Sequence, residues 1–188
     1  GFRPEQEVQY ALDDDMMMLK VPEYNRSFEI QPKDKLVPGI SFLNSETGKA
    51  GFHIISFVLR LVCSNGLLAP AKLASSRFKH ISKKPLDNFP AIVEGVMADS
   101  NERRDEMRMS IATPVQDPIS TINTFNRQFN IGKAEGEAVI NAWAIEPNYN
   151  MWAVINAYTR GAQAKELSTE ASYQLEKTGG TILSLVRK

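Results

Sequence analysis

The side chains able to do chemistry are few and unevenly placed. The chain holds two histidines, His53 and His80, and one cysteine, Cys63. His53 and Cys63 share an apolar run, ten residues apart. On a straight strand that spacing is about 33 Å, so a thiol–imidazole pair would need a tight hairpin between them. Cys63 reads instead as a small buried hydrophobe, and His53, alternating with apolar residues, as a strand histidine. His80 lies among Lys79, Lys83 and Lys84. Positive neighbours disfavour its protonated form, which suits a surface or phosphate-contacting group better than a general base. Asp13, Asp14 and Asp15 are adjacent carboxylates. Neighbours on an extended chain face opposite sides and no calcium-loop spacing follows, so they read as a solvated stretch. One thiol allows neither an internal disulfide nor a thiolate zinc cluster, and a reducing interior is the expected setting. Phosphate-loop, dinucleotide, nucleophile-elbow and zinc-helix motifs are all missing. No catalytic residue, metal or cofactor is assigned.

Arg60 stands out within Gly51–Cys63. It is the sole charge between Lys49 and Lys72. A charge in an apolar run is either paired or set at a surface that needs it. With no acid nearby in sequence, its counter-ion is a distant carboxylate or a ligand.

The whole chain is neutral, with 22 basic and 22 acidic residues among 188. That balance hides segregation. Residues 47–86 carry seven bases (Lys49, Arg60, Lys72, Arg77, Lys79, Lys83, Lys84), both histidines and no acid. Clustered Lys and Arg neutralise phosphates and release their counter-ions, and Phe78 among them offers a stacking face for an unpaired base. The competing reading is a solvated loop whose bases pair with the acidic ends of the same chain.

The elements that would position these residues come in two blocks. Met16–Val21, Ser27–Gln31, Leu36–Leu43 and Gly51–Cys63 carry strand signals. Pro38-Gly39 suggests an edge or a bulge, and Ser64-Asn65-Gly66 a turn. From Leu86 onward the apolar period is helical. Pro114 stops one helix, Asp117-Pro118 starts the next, and Gly132 precedes a third over 133–145. Asn148 is placed to cap a fourth and Ser168 a fifth. Strands first and helices second predict an α+β fold: an N-terminal antiparallel β-meander, then a C-terminal group of about five helices. One domain over 1–188 is expected, with a polar acidic lead (1–15), a strand-rich part (16–66), a basic connection (67–85) and a helical part (86–188). No apolar run reaches the roughly 20 residues of a membrane span. No leader is read, and an opening Gly in place of Met leaves an upstream start expected.

Three passages carry a family likeness: Asn44-Ser45-Glu46-Thr47-Gly48, Arg60-Leu61-Val62-Cys63-Ser64-Asn65-Gly66, and Met151 to Thr159. With the Leu175–Gly180 segment of the last helix, they resemble phage/plasmid-like proteins grouped as a bacterial domain of unknown function. The Arg-Leu-Val-Cys-x-Asn-Gly element is the most specific part. The resemblance spans roughly residues 36–188 and implies a mobile-element origin and a cytoplasmic setting in a bacterial host, with no established activity or site. The coarse order is also similar to phage recombination proteins of the single-strand annealing type, an analogy of fold alone.

The expectation is therefore a non-enzymatic nucleic-acid-binding protein, single-stranded DNA favoured, acting in phage or plasmid recombination as a homo-oligomer away from membranes. Lys72, Arg77, Lys79, Lys83 and Lys84 would contact phosphate, Lys49, Arg60 and His80 would flank them, and Phe78 would stack. The alternative is an interaction or assembly module with no nucleic-acid role.

Overall fold

Apolar residues on β-rich segments form one antiparallel sheet, and the periodic segments after residue 88 form helices over it. The computed structural model describes residues 8–45, 47, 51–61, 65–68, 75–78 and 89–186. Seven strands occur among them: β1 (Gln9–Leu12), β2 (Met17–Pro22), β3 (Phe28–Gln31), β4 (Asp34–Asn44), β5 (Phe52–Arg60), β6 (Asn65–Leu68) and β7 (Ser75–Phe78). The sheet order is β1-β2-β4-β5-β6. One edge of β4 serves both β3, at residues 34–36, and β2, at residues 39–44. One edge of β5 likewise serves β6 at its end and β7 at its start. All pairings are antiparallel, as connections too short for parallel crossovers require.

Three strands depart from the sequence expectation: β6 takes in Asn65 and Gly66, expected as part of a turn, and runs into the basic connection, pairing with β5. β1 lies in the stretch read as a solvated acidic lead, and β7 lies inside the basic connection. The Pro38-Gly39 pair sits in the middle of β4, the central strand, rather than on an edge. The Pro38 carbonyl accepts from Glu23 N at 2.8 Å, so its ring nitrogen faces the same side. There the partner changes from β3 to β2, and the missing N–H costs little. Gly39 is required by close approach: a Cβ would lie 2.5 Å from the Phe57 ring and 2.5 Å from the Val21 carbonyl.

The apolar run of β5 lacks a clean alternation because both of its faces are covered. Val58 joins Leu36, Leu67 and the helices in one core. Ile55, Phe57 and Leu59 join Met18, Val37, Leu43, Leu68 and Tyr173 in another, on the opposite face. Burying a residue such as Phe57 fully contributes about 1.5–3 kcal/mol, so this strand anchors both layers.

Five helices follow: α1 (Phe89–Ala112), α2 (Pro118–Gln128), α3 (Lys133–Ile145), α4 (Met151–Gly161) and α5 (Thr169–Leu185). This confirms the α+β layout. Asp117 caps α2 by accepting from Ser120 N at 2.9 Å, with Pro118 in the first turn. Ser168 caps α5 by accepting from Ala171 N at 3.2 Å. The cap of α4 is Asn150, not Asn148: Asn150 Oδ1 accepts from Ala153 N at 2.9 Å. Asn148 Oδ1 instead accepts from Tyr149 N at 2.7 Å, and its carbonyl accepts from the Trp143 indole. Pro114 bridges to Asn150 after the end of α1, so two helix termini meet there. α4 is the central helix. The hydroxyl of its Tyr158, fully buried, lies 3.1 Å from Ile122 O and 2.7 Å from Asn126 Oδ1, which share its one proton, tying α4 to α2. Burial pushes the Tyr158 hydroxyl far above its usual range. The Arg104 guanidinium stands 4.1 Å from the centre of the Phe28 ring, fastening α1 to β3. Among the described residues, no helix is long and apolar enough to cross a membrane.

Candidate functional site

Arg60 closes β5 on the face that packs against the helices, and it is buried. Its Nε donates to Asp34 Oδ1 at 2.6 Å and its Nη2 to Asp34 Oδ2 at 3.1 Å. Its other edge meets Glu146: Nη1 donates to Oε2 at 2.8 Å and Nη2 to Oε1 at 2.8 Å. A planar guanidinium presents donors on two edges, and here each edge meets one carboxylate. Of the two origins left open for its counter-ion, the distant carboxylate is the one present, twice over.

The inner carboxylate is fixed by its neighbours. Asp34 Oδ2 also accepts from Trp152 Nε1 at 3.0 Å and from Gln31 Nε2 at 3.0 Å. Asp34 lies opposite Gln31 at the hairpin between β3 and β4, where Lys33 takes a left-handed φ of 67°. The outer carboxylate differs. Glu146 is the residue just after α3, its side chain is 48% exposed, and Arg160 Nη1 approaches it at 3.6 Å. Gln31, Arg60, Glu146, Trp152 and Arg160, but not Asp34, line a cavity of about 70 Å³ with Trp143, Asn148, Asn150, Ala153 and Asn156. Two guanidiniums, two carboxylates, two indoles and several amides do ion pairing and hydrogen bonding. Nothing in the set resembles an activated nucleophile.

A second buried pair lies on the opposite face of the sheet. Lys20 of β2 donates to Glu176 Oε1 of α5, and both side chains are buried. Glu176 Oε2 is buried without a hydrogen-bond partner. Burial outweighs the attraction of Lys20 and pushes the Glu176 carboxyl above its ordinary range. Gly66 leaves room for the pair, since a Cβ there would lie 2.9 Å from Lys20 Nζ.

Lys49, Lys72, Lys79, His80, Lys83 and Lys84, and also Cys63, lie outside the described residues. Arg77 and Phe78 occupy β7, in register with His53 and Phe52. His53 sits half-buried in β5. Arg60 is seven positions further along β5 than His53, about 23 Å of strand. Its two carboxylate partners, and that distance from the register partner of Arg77, are why the flanking role expected for Arg60 is withdrawn. The acidic triplet is corrected too. Asp13 Oδ1 accepts from Asp15 N and Met16 N at 3.0 and 2.9 Å, and Oδ2 from Thr169 N at 2.9 Å. The hydrogen bond from Asp15 N leads in holding its carboxyl below the ordinary range. Asp13 thus ties the β1–β2 turn to the start of α5.

The sequence reading missed Asp34, Glu146, Arg160, Trp152 and Lys20–Glu176. The one available signal was Arg60 itself, a charge with no local counter-ion. Comparison with protein-family models, curated proteins and solved structures gives no match.

Proposed function

We propose that the chain is a non-enzymatic nucleic-acid-binding protein that takes single-stranded DNA during recombination of a phage or plasmid, as a homo-oligomer in the bacterial cytoplasm. The observation that carries this reading is the stretch 47–86, with seven bases and no acid in a neutral chain. Arg60, held by two carboxylates, is set aside from the seven; of the six left, Lys72, Arg77, Lys79, Lys83 and Lys84 are the phosphate-contacting group and Lys49 flanks them. The sheet adds support on the aromatic side. Phe42 and Phe52 are half-buried and stacked, with ring centres 6.3 Å apart. Phe78 is the register partner of Phe52 on β7, and aromatic faces are where unpaired bases stack.

The test is fluorescence anisotropy of a labelled single-stranded oligonucleotide at two salt concentrations. Five phosphate contacts predict about a hundredfold loss of affinity between 50 and 200 mM salt. Replacing the five bases by Ala should abolish binding. A wild-type chain that does not bind at low salt overturns the reading.

A second reading, an assembly module without nucleic acid, is favoured by one observation. Tyr10 and Leu12 of β1 and Met17 of β2 are exposed, and Leu12 and Met17 are register partners. Adjacent exposed apolar side chains suit a protein interface. Oligomers in native mass spectrometry that survive nuclease and ignore oligonucleotide would select this reading.

A further inference from the structure

We propose that the cavity between the β1–β2 hairpin and the helices α4 and α5 binds a neutral amide-type edge, whose N–H donates to Glu176 Oε2 and whose adjacent acceptor takes a hydrogen bond from Lys20 Nζ. That chemistry, a donor beside an acceptor on an uncharged group, belongs to small carboxamides and to nucleobases. The proposal does not rest on the basic stretch 47–86, no residue of which lines this cavity.

The site starts from polar groups that are short of partners. Glu176 is 3% exposed; its Oε1 is taken by Lys20, while its Oε2 is buried with no hydrogen-bond partner. An orphaned carboxylate oxygen carries a desolvation cost that a donor would recover. Lys20 Nζ carries three protons, and Glu176 Oε1 takes one of them. Ser41, the register partner of Lys20 on β4, is also buried with its Oγ unpartnered. A spare acceptor and spare donors thus stand side by side, at the two ends of one contact.

The cavity has room for more than water. It measures about 180 Å³, and Lys20 and Glu176 both line it. A water needs roughly 10–15 Å³ of such space, so a planar group of several atoms fits. Met18 and Lys20, two apart on β2, share the face turned towards it, and Ser172 stands one helical turn before Glu176 on α5. Met18 and Ala162 supply apolar wall. Charge then selects the ligand. When both are ionised, Lys20 and Glu176 sum to zero. A carboxylate or phosphate would bring an unpaired negative charge, and an ammonium an unpaired positive one, into surroundings that penalise either. A neutral edge meets no such penalty.

Met18 is one of seven methionines, so carbon-13 methyl NMR, with Met18→Leu to assign the signal, reads the cavity directly. The whole protein is titrated with nicotinamide, cytosine and nicotinate at about pH 8, which favours the ionised carboxylate. Nicotinate keeps the ring of nicotinamide and exchanges its amide for an anion. Nicotinamide or cytosine should shift the Met18 methyl saturably, with a Kd of about 1–10 mM, as fragments of this size allow. Nicotinate should not. Glu176→Gln keeps an acceptor for Lys20 but sets an N–H donor in place of Oε2. It should weaken nicotinamide binding about tenfold or more and admit nicotinate, because the ammonium is then uncompensated. Near-UV circular dichroism checks that this variant keeps its packing. No saturable shift with either neutral probe up to about 50 mM overturns the proposal. So does an equal response of the wild type to nicotinamide and nicotinate, a comparison that needs no variant to fold. Unchanged nicotinamide binding by folded Glu176→Gln overturns it as well. Preference for cytosine assigns the site to a base edge, and preference for nicotinamide to a free carboxamide. Neither probe calls on the basic stretch, so failure here and failure of the single-strand reading remain distinct.

Discussion

The ion pairs of Arg60 and of Lys20 lie on opposite faces of one sheet, and they are built differently. Arg60 meets Asp34 and Glu146 through two edges of a planar group, and Asp34 is further held by Trp152 and Gln31. Lys20 meets one oxygen of Glu176, whose second oxygen has no partner. The difference follows from the cations. A guanidinium carries five donors in a fixed fork and stays charged, while an ammonium is a compact point charge. The first makes a hub that organises several elements. The second makes a single contact and leaves a polar atom stranded, at a cost in desolvation. Buried charge is therefore no measure of stability by itself. What counts is how many lone pairs and protons find partners.

The sharpest way to break this contrast is Asp34→Ala. It strips the inner edge of a guanidinium that cannot shed its proton, and it orphans the Trp152 indole as well. The expected loss is about 3–5 kcal/mol in urea unfolding. A loss under about 1 kcal/mol would show that the hub is not one. Lys20→Met should cost less, about 2–3 kcal/mol, because Glu176 can take up a proton and become neutral. The double replacement Lys20→Met with Glu176→Leu should return close to wild type, since one contact is exchanged for apolar packing. No such rescue is expected for the pair Arg60 and Asp34, whose removal strands Gln31 and Trp152.

The same contrast has a pH signature. Burial raises the proton affinity of folded Glu176 above its ordinary 4.5, so protonation favours the folded chain. That contribution is complete below the unfolded value and is lost as pH climbs through the raised folded one. Glu176→Gln removes the slope. The stability of wild type relative to this variant should fall as pH rises from about 4.5. A flat difference would mean that Glu176 titrates alike in the folded and unfolded chains. The smallest effect belongs to Asp13→Ala. It deletes three backbone acceptor contacts at a half-buried turn and should cost about 1 kcal/mol, read from thermal unfolding.

What the sequence revealed is what local physics writes. Asp117-Pro118 and Ser168 announced their helices because a cap is decided within four residues. The order of strands and helices followed from apolar period. β1 escaped because Tyr10 and Leu12 leave one face in solvent and three aspartates adjoin them, so no burial pattern marks the strand. Asn148 was read as the cap where Asn150 is the cap, because both residue types are competent and only the backbone, bridged to Pro114 at Asn150, decides. The site was half legible. Arg60 was conspicuous for want of a neighbour of opposite sign, but its partners are 26 and 86 residues away. A charge shows that it needs a partner, not which one. Glu176 gave no sign at all, being one more acid on a helix.

The tie between β2 and α5 has a consequence for how the chain is made. Lys20 and Glu176 are separated by 156 residues, and so are Asp13 and Thr169. On the ribosome the opening hairpin emerges long before either counterpart exists. Until α5 is released, Lys20 has to stay in water, because enclosing it early would trap an ammonium with nothing opposite. Closure of the sheet over that lysine is then deferred until α5 has emerged, and β2 depends on a helix made 156 residues later to complete its burial.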